Sequence, residues 1–159
     1  MHMQLPEPSQ PVQAGVSTAW SRVAAFSSAM DANLDRWLAD TYRVGLTEFR
    51  ALTLVSQASD KELRVNDLAQ RVGLNQSSAT RLVNRLEAKG HVRRDLCADD
   101  GRGVYAVITE QGEALVHSVR SPYEDRISGL LTPASEHFPS IDTKQLGYAL
   151  REIEGLLTP

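Results

Sequence analysis

The chain has 159 residues, 42% of them hydrophobic, with one cysteine and a formal net charge of −3. That length supports a single domain, or a single domain carrying helices that pack on a partner. One cysteine excludes an internal disulfide and the thiolate cluster of a structural zinc site, and no apolar run is long enough to span a bilayer.

Residues 1–16, with Pro6, Pro8, Pro11 and Gly15, predict a disordered tail, and the opening Met1-His2-Met3 is compatible with a cloning remnant. No secretory pattern stands there, so a cytoplasmic location is expected. From Ser17 a helix pattern runs through Trp20, Val23, Met30, Leu34, Trp37 and Leu38 to about Asp40. Thr47 is predicted to cap the next helix, which turns Phe49, Leu52 and Val55 inward.

Residues 65–90 contain two short helix patterns joined by a tight Gly73-Leu74 turn. The second opens at Asn75, whose side-chain oxygen can accept from a free N–H of the first turn. It closes at Gly90, suited to the left-handed residue that follows a helix. Ala79, Leu82, Val83 and Leu86 recur at i, i+3, i+4 and i+7, which buries one face. The opposite face carries Ser77, Arg81 and Asn84, flanked by Thr80 and Arg85, with Gln76 and Ser78 in the first turn. Arg can pair bidentately with guanine and Asn or Gln with adenine, while hydroxyls and free N–H groups at a helix start suit phosphate oxygens. These residue types on one rod fit double-stranded DNA; the competing reading is an ordinary solvated helix face.

Two β-prone runs follow, at 91–96 and 104–109, around the turn-rich Asp99-Asp100-Gly101-Arg102-Gly103. They predict a hairpin, which beside a two-helix reader is a wing. Arg102 at its tip suits a narrow minor groove, or else pairs with Asp99 or Asp100 and stiffens the loop. Thr109 is predicted to cap a long helix bearing Leu115, Val119, Tyr123, Ile127 and Leu130, which Pro122 kinks or breaks. A loop over 132–141 then leads to a last helix capped by Asp142, with Leu146, Leu150, Ile153 and Leu157 on one side.

Charge is unevenly placed. Residues 64–94 hold seven cationic side chains against Asp67 and Glu87, so the acidic excess lies in the rest of the chain. A basic module on an acidic frame is compatible with nucleic acid and predicts strong salt dependence.

Leu68-Ala69, Gly73-Leu74, Thr80-Arg81-Leu82-Val83, Leu86-Glu87-Ala88-Lys89-Gly90, Asp100-Gly101-Arg102, and Thr109 with Gly112 together resemble the pattern of the MarR family of bacterial winged-helix transcriptional regulators. The likeness runs from Leu46 to about Leu115. Cys97 stands where many members have Asp, and Ile108 replaces the usual Leu; the wing sequence C-A-D-D-G-R is similar to one branch of the family. The resemblance implies a mainly α fold with a small antiparallel β-wing, a winged helix-turn-helix domain flanked by dimerisation helices. The divisions expected are a tail over 1–16, an N-terminal dimerisation helix over 17–44, the DNA-binding domain over 45–109 and C-terminal dimerisation helices over 110–159. It also implies that Arg81 and Arg102 meet DNA.

The outer helices independently carry more apolar surface than one winged domain covers, which favours a homodimer. Two recognition helices would then enter successive major grooves roughly 34 Å apart, on a pseudo-palindromic operator. Repression is the expected sign, because occupying an operator needs no further contact surface. By resemblance, a small aromatic or phenolic effector binds where the dimerisation helices meet the reader domain. Trp20, Phe26, Met30, Trp37, Phe49 and Tyr123 are the candidate walls, with plain core packing as the alternative for each.

Other functions find less in the sequence. No G-x-S-x-G, P-loop or HExxH pattern occurs, so catalysis is not expected, and no cofactor is implied. His2, His91, His117 and His137 lack metal-ligand spacing. Cys97 beside Arg93 and Arg94 suggests a redox-responsive alternative, but position 97 resembles a branch without that chemistry. A winged-helix protein-interaction module without DNA binding remains the other alternative.

Overall fold

The computed structural model describes residues 15–96, 103–137 and 142–157. The elements run α1 (Val16–Tyr42), α2 (Leu46–Gln57), β1 (Glu62–Arg64), α3 (Val65–Val72), α4 (Gln76–Ala88), β2 (Val92–Leu96), β3 (Val104–Ile108), α5 (Glu110–His137) and α6 (Thr143–Leu157). The mainly helical class with a small antiparallel sheet is the one expected. The expected tail falls almost wholly outside the described residues, as do Cys97, Asp99, Asp100 and Arg102 of the wing.

Burial divides into two clusters. One holds the reader: Leu52 and Val55 of α2, Leu68 of α3, Ala79, Leu82, Val83 and Leu86 of α4, and Val92, Ala106 and Ile108 of the sheet. The other joins α1, α2 and α5 through Leu34, Leu38, Val44, Leu46, Phe49 and Val119. Leu115 packs against both, so α5 links the two cores. Removing such side chains from water is the main favourable term holding the helices together.

Local signals fix several boundaries. Asn75 Oδ1 accepts from the Ser78 N–H at 2.8 Å, and Asp142 Oδ1 from those of Lys144 and Gln145 at 2.9 and 3.2 Å. Gly73 and Gly90 end α3 and the α4 turn with φ of 71° and 78°, where a side chain would be strained. Thr109 Oγ1 accepts from the Gly112 N–H at 3.1 Å, as its capping role requires.

Three expectations are corrected. Thr47 does not cap α2, which begins one residue earlier at Leu46; Asp35 of α1 accepts the Leu46 N–H at 2.8 Å and satisfies that terminus from another helix. Pro122 does not break α5, and the loop expected from 132 is helix up to His137, with Pro133 inside it. A proline ring removes one ladder bond, yet the helix continues through Pro122, with Val119, Tyr123 and Ile127 on either side of it packed in the second core. A third strand, β1, completes the sheet in the order β1-β3-β2, pairing Glu62 with Val107 and Arg64 with Tyr105.

The ends of α4 and α5 meet at a tight junction. Thr109 N–H donates to the His91 carbonyl at 3.0 Å, and Thr109 Oγ1 donates to the Gly90 carbonyl at 2.6 Å. Gly112 lies so close beneath that a Cβ there would fall 2.2 Å from the His91 oxygen, which is why only glycine fits.

A second junction ties α5 to α2. Glu113 accepts from the Ser56 hydroxyl at 2.8 Å and pairs with Lys61 at 3.1 Å. The Ser56 bond first, and then the Lys61 ammonium, hold the Glu113 carboxyl below its ordinary range. A carboxylate favoured by folding contributes stability that is full above its unfolded pKa and is lost as pH falls through the lower folded value. Glu113→Gln should therefore flatten the acid limb of a plot of melting temperature against pH, below about 4.3. An unchanged acid limb would show that this carboxylate is not coupled to folding.

Candidate nucleic-acid interface

α4 presents its two faces as the periodicity requires. Ala79, Leu82, Val83 and Leu86 are buried, while Gln76, Ser77, Thr80, Arg81, Asn84 and Arg85 are exposed and Ser78 is half-buried. The structure thus brings together every DNA-facing candidate on this helix. Arg102 lies outside the described residues.

Their hydrogen bonds differ in consequence. Ser77 Oγ donates to Asn75 Oδ1 at 3.0 Å, and Thr80 Oγ1 donates to the Gln76 carbonyl at 3.0 Å, so both hydroxyls commit their proton within the exposed helix start and keep acceptor capacity. Arg81 Nη2 reaches Ser78 Oγ at 3.3 Å, a long contact that orients the guanidinium without neutralising it. Arg85 is tied differently: its Nε pairs with Glu48 Oε1 of α2 at 3.4 Å. Lys89, one turn on, donates to Glu48 Oε2 at 2.7 Å and to the Arg43 carbonyl at 2.9 Å.

The sheet extends the basic surface. Arg93 and Arg94 are exposed on β2, paired with Asp95 at 3.4 Å and Glu87 at 3.6 Å. Arg64 of β1 donates through Nε to the Tyr105 hydroxyl at 2.9 Å, with its guanidinium carbon 5.6 Å from that ring's centroid. Between α3, α4 and the hairpin lies a cavity of about 520 Å³, with Arg64, Asn66, Gln76, Thr80 and Arg94 among its walls. Sequence reading missed Arg64 and Arg94 as neighbours of α4, since the strand pairing that joins them is non-local.

His91 follows the left-handed Gly90. Its buried Nδ1 has no hydrogen-bond partner among the described residues, and desolvation, with Lys89 second and Glu48 opposing, lowers its pKa.

The six candidate effector walls do not share one space. Phe49 and Tyr123 meet at a tilt of 57° with ring centroids 4.9 Å apart and line a cavity of about 450 Å³ with Arg50, Thr53, Leu54, Arg71 and Val72. Trp37 instead meets Tyr42 edge to face at 5.6 Å, and Met30 is half-buried. Trp20 and Phe26 are 68% and 55% exposed on the first half of α1, too open in one chain to enclose a ligand. Among the described residues no group of three His, Cys, Asp or Glu is placed to hold a metal, and no helix is long and apolar enough to cross a membrane.

Comparison with known proteins places this geometry. Residues 44–103 match a MarR family model. The HTH-type transcriptional repressor YetL of Bacillus subtilis is 28% identical over 105 residues, 65% of this chain and 63% of YetL, so the match spans just under two thirds of that relative. PecS of Dickeya dadantii, an HTH-type transcriptional regulator, is 28% identical over 111 residues, 69% of this chain and 66% of its own. Among solved structures, the MarR family regulator Sco3205 of Streptomyces coelicolor, determined in complex with DNA, superposes with a TM-score of 0.76 at 22% identity, covering 96% of this chain and 94% of Sco3205. BldR of Sulfolobus solfataricus superposes at 0.75 with 21% identity, covering 87% and 94%. At those identities the likeness is one of fold, and it extends beyond the reader into the flanking helices. The reader motifs, the MarR family model matched over residues 44–103 and the shared architecture agree: the chain is similar to MarR family regulators and has the winged-helix fold of their solved structures.

Proposed function

We propose that the protein is a homodimeric regulator that reads double-stranded DNA with α4 and represses transcription by occupying a pseudo-palindromic operator. The observation that carries this reading is the outward face of α4: Gln76, Ser77, Thr80, Arg81 and Asn84 stand exposed together above a fully packed inner face. Arg81 is assigned a base edge in the major groove, Asn84 and Gln76 the neighbouring bases, and Ser77, Ser78 and Thr80 the phosphates. Arg102 is assigned the minor groove. The determination of Sco3205 and of Staphylococcus aureus MepR in complexes with DNA supports the choice of ligand.

Pairing rests on uncovered apolar surface. Val16, Trp20, Val23 and Phe26 of α1, and Leu146, Tyr148, Leu150, Ile153, Leu156 and Leu157 of α6, are exposed in the single chain. Such stripes at both ends of the chain are economically covered by a second copy, which makes 17–44 and 110–159 the dimerisation segments around the reader at 45–109. The Phe49–Tyr123 cavity, with Arg50 and Arg71 on its wall, suits a small aromatic anion as effector.

The test is enrichment of duplexes from a random-sequence pool by the purified protein. The expected product is an inverted repeat with half-sites about ten base pairs apart, bound by a dimer and released by added salt. Enrichment of no sequence, or equal binding to every duplex, would refute sequence reading. Benzoate, used as a probe in the same assay, should weaken binding if the aromatic cavity is an effector site, and leave it unaltered otherwise.

A further inference from the structure

We propose that Glu48 is a positioning residue for DNA reading, whose buried carboxylate holds Lys89 and the stem side of Arg85 against α2, so that the contacts α4 makes to DNA fall to the residues from Gln76 to Asn84. The inference rests on the DNA-binding function proposed above and assigns which of the reader's cations are withheld from the phosphates.

Glu48 lies in the first turn of α2 and is only 7% exposed, an unusual place for a carboxylate in a helix otherwise buried through Leu46, Phe49, Ala51, Leu52 and Val55. A buried carboxylate must be partnered. Its partners are four residues apart at the end of α4: Lys89 Nζ, at the C-cap, 2.7 Å from Oε2, and Arg85 Nε 3.4 Å from Oε1. Lys89 makes a second bond, to the Arg43 carbonyl at 2.9 Å. Two of its three N–H groups are therefore directed toward the body of the domain. For Lys89 to swing out to a phosphate away from the domain, it must give up the Arg43 carbonyl and Glu48 must lose its shorter ion pair. Arg85 is restrained less, through Nε at the longer distance.

This alters the charge the helix shows to DNA. Residues 64–94 are rich in cations when counted along the chain, but Glu48 lies outside that stretch and its one negative charge is shared by two of them in space. Arg93 and Arg94 also have carboxylate partners. The cationic field of α4 is consequently weighted toward Arg81, in mid-helix, rather than spread to its C-terminal end. A reader so weighted gains less from sequence-independent phosphate attraction, and more of its binding depends on the residues that can discriminate bases.

The experiment measures binding by fluorescence anisotropy, over a salt series, of the wild type, Lys89→Gln and Glu48→Gln to a duplex enriched by the wild type and to a scrambled duplex of equal composition. Circular dichroism and gel filtration confirm the fold of each. Lys89→Gln should leave the slope of log K against log salt unchanged. Glu48→Gln, which releases the cations, should steepen that slope by roughly 0.9 for each additional phosphate neutralised per protomer. It should also raise affinity for the scrambled duplex several-fold at low salt and narrow the preference for the enriched one. Two results overturn the proposal: a slope shallower by about 0.9 per protomer in Lys89→Gln, which would mean that Lys89 meets phosphate in the wild type, or weaker binding of both duplexes by Glu48→Gln at unchanged slope, as a purely structural role predicts. Since Lys89 is at the surface, its variant keeps the question decidable even if Glu48→Gln does not fold. Failure of the wild type to bind either duplex would instead refute DNA binding itself, and the wild-type arm alone reveals that outcome.

Discussion

Arg81→Ala is expected to weaken binding of the enriched duplex by about 1–3 kcal/mol for each recognition helix, and to relax the preference for one base pair in each half-site. The magnitude follows from geometry. Arg81 is exposed in mid-helix on the face opposite Leu82 and Leu86, and its guanidinium makes only the long 3.3 Å approach to Ser78 Oγ among the described residues, so no buried structure depends on it. Its loss removes a planar fork that can satisfy two acceptors of one guanine at once. Arg81→Lys separates charge from geometry: the salt slope should persist while discrimination falls, because an ammonium meets phosphate as a point charge but cannot reproduce the fork. Anisotropy titrations against duplexes mutated singly at each half-site position read both effects. If either variant kept the wild-type preference at every position, the base-reading role of Arg81 would be wrong.

The other large effect lies beneath. Leu82→Ala should destabilise the fold by about 2–5 kcal/mol, measured by denaturant unfolding. Leu82 is 0% exposed and packs within the cluster that joins α2, α3, α4 and the sheet, so its truncation leaves a void bordered by several elements at once. The direct consequence for DNA should be small wherever the variant remains folded, since no outward group changes. Strong loss of stability with near-normal binding at low temperature is therefore the expected signature. A cost below about 1 kcal/mol would mean that the inner face of α4 is not seated as described.

What could be read from the chain was what is encoded locally. Asn75, the apolar positions 79, 82, 83 and 86, and Gly90 all lie within a few residues of the helix they define, so both the start and the faces of α4 were legible. Thr109 and Asp142 announced their helices for the same reason. The α2 cap was not legible, because its acceptor is Asp35, eleven residues earlier on a different helix. β1 has three residues, too few for alternation to register, and it exists because β3 offers a free edge. Pro133 misled because proline weakens a helix without forbidding one. Among site residues, Glu48 gave no signal: a lone acidic residue near a helix start reads as a favourable dipole partner, and only the approach of α4 shows that it answers Arg85 and Lys89. The aromatic residues of α1 and α2 read as one group by composition, but the backbone directs Phe49 into the core and Trp20 to the surface.

The junction of Thr109, Gly112 and His91 makes α5 a rigid lever. At 1.5 Å per residue its 28 residues extend about 42 Å, and its near end is fastened to the turn that ends α4 by two bonds with no Cβ between the backbones. A tilt of about 5° about that fulcrum displaces the far end by about 4 Å, and the converse holds equally. In the homodimer proposed above, rearrangements where two copies meet would thus change the separation of their α4 helices.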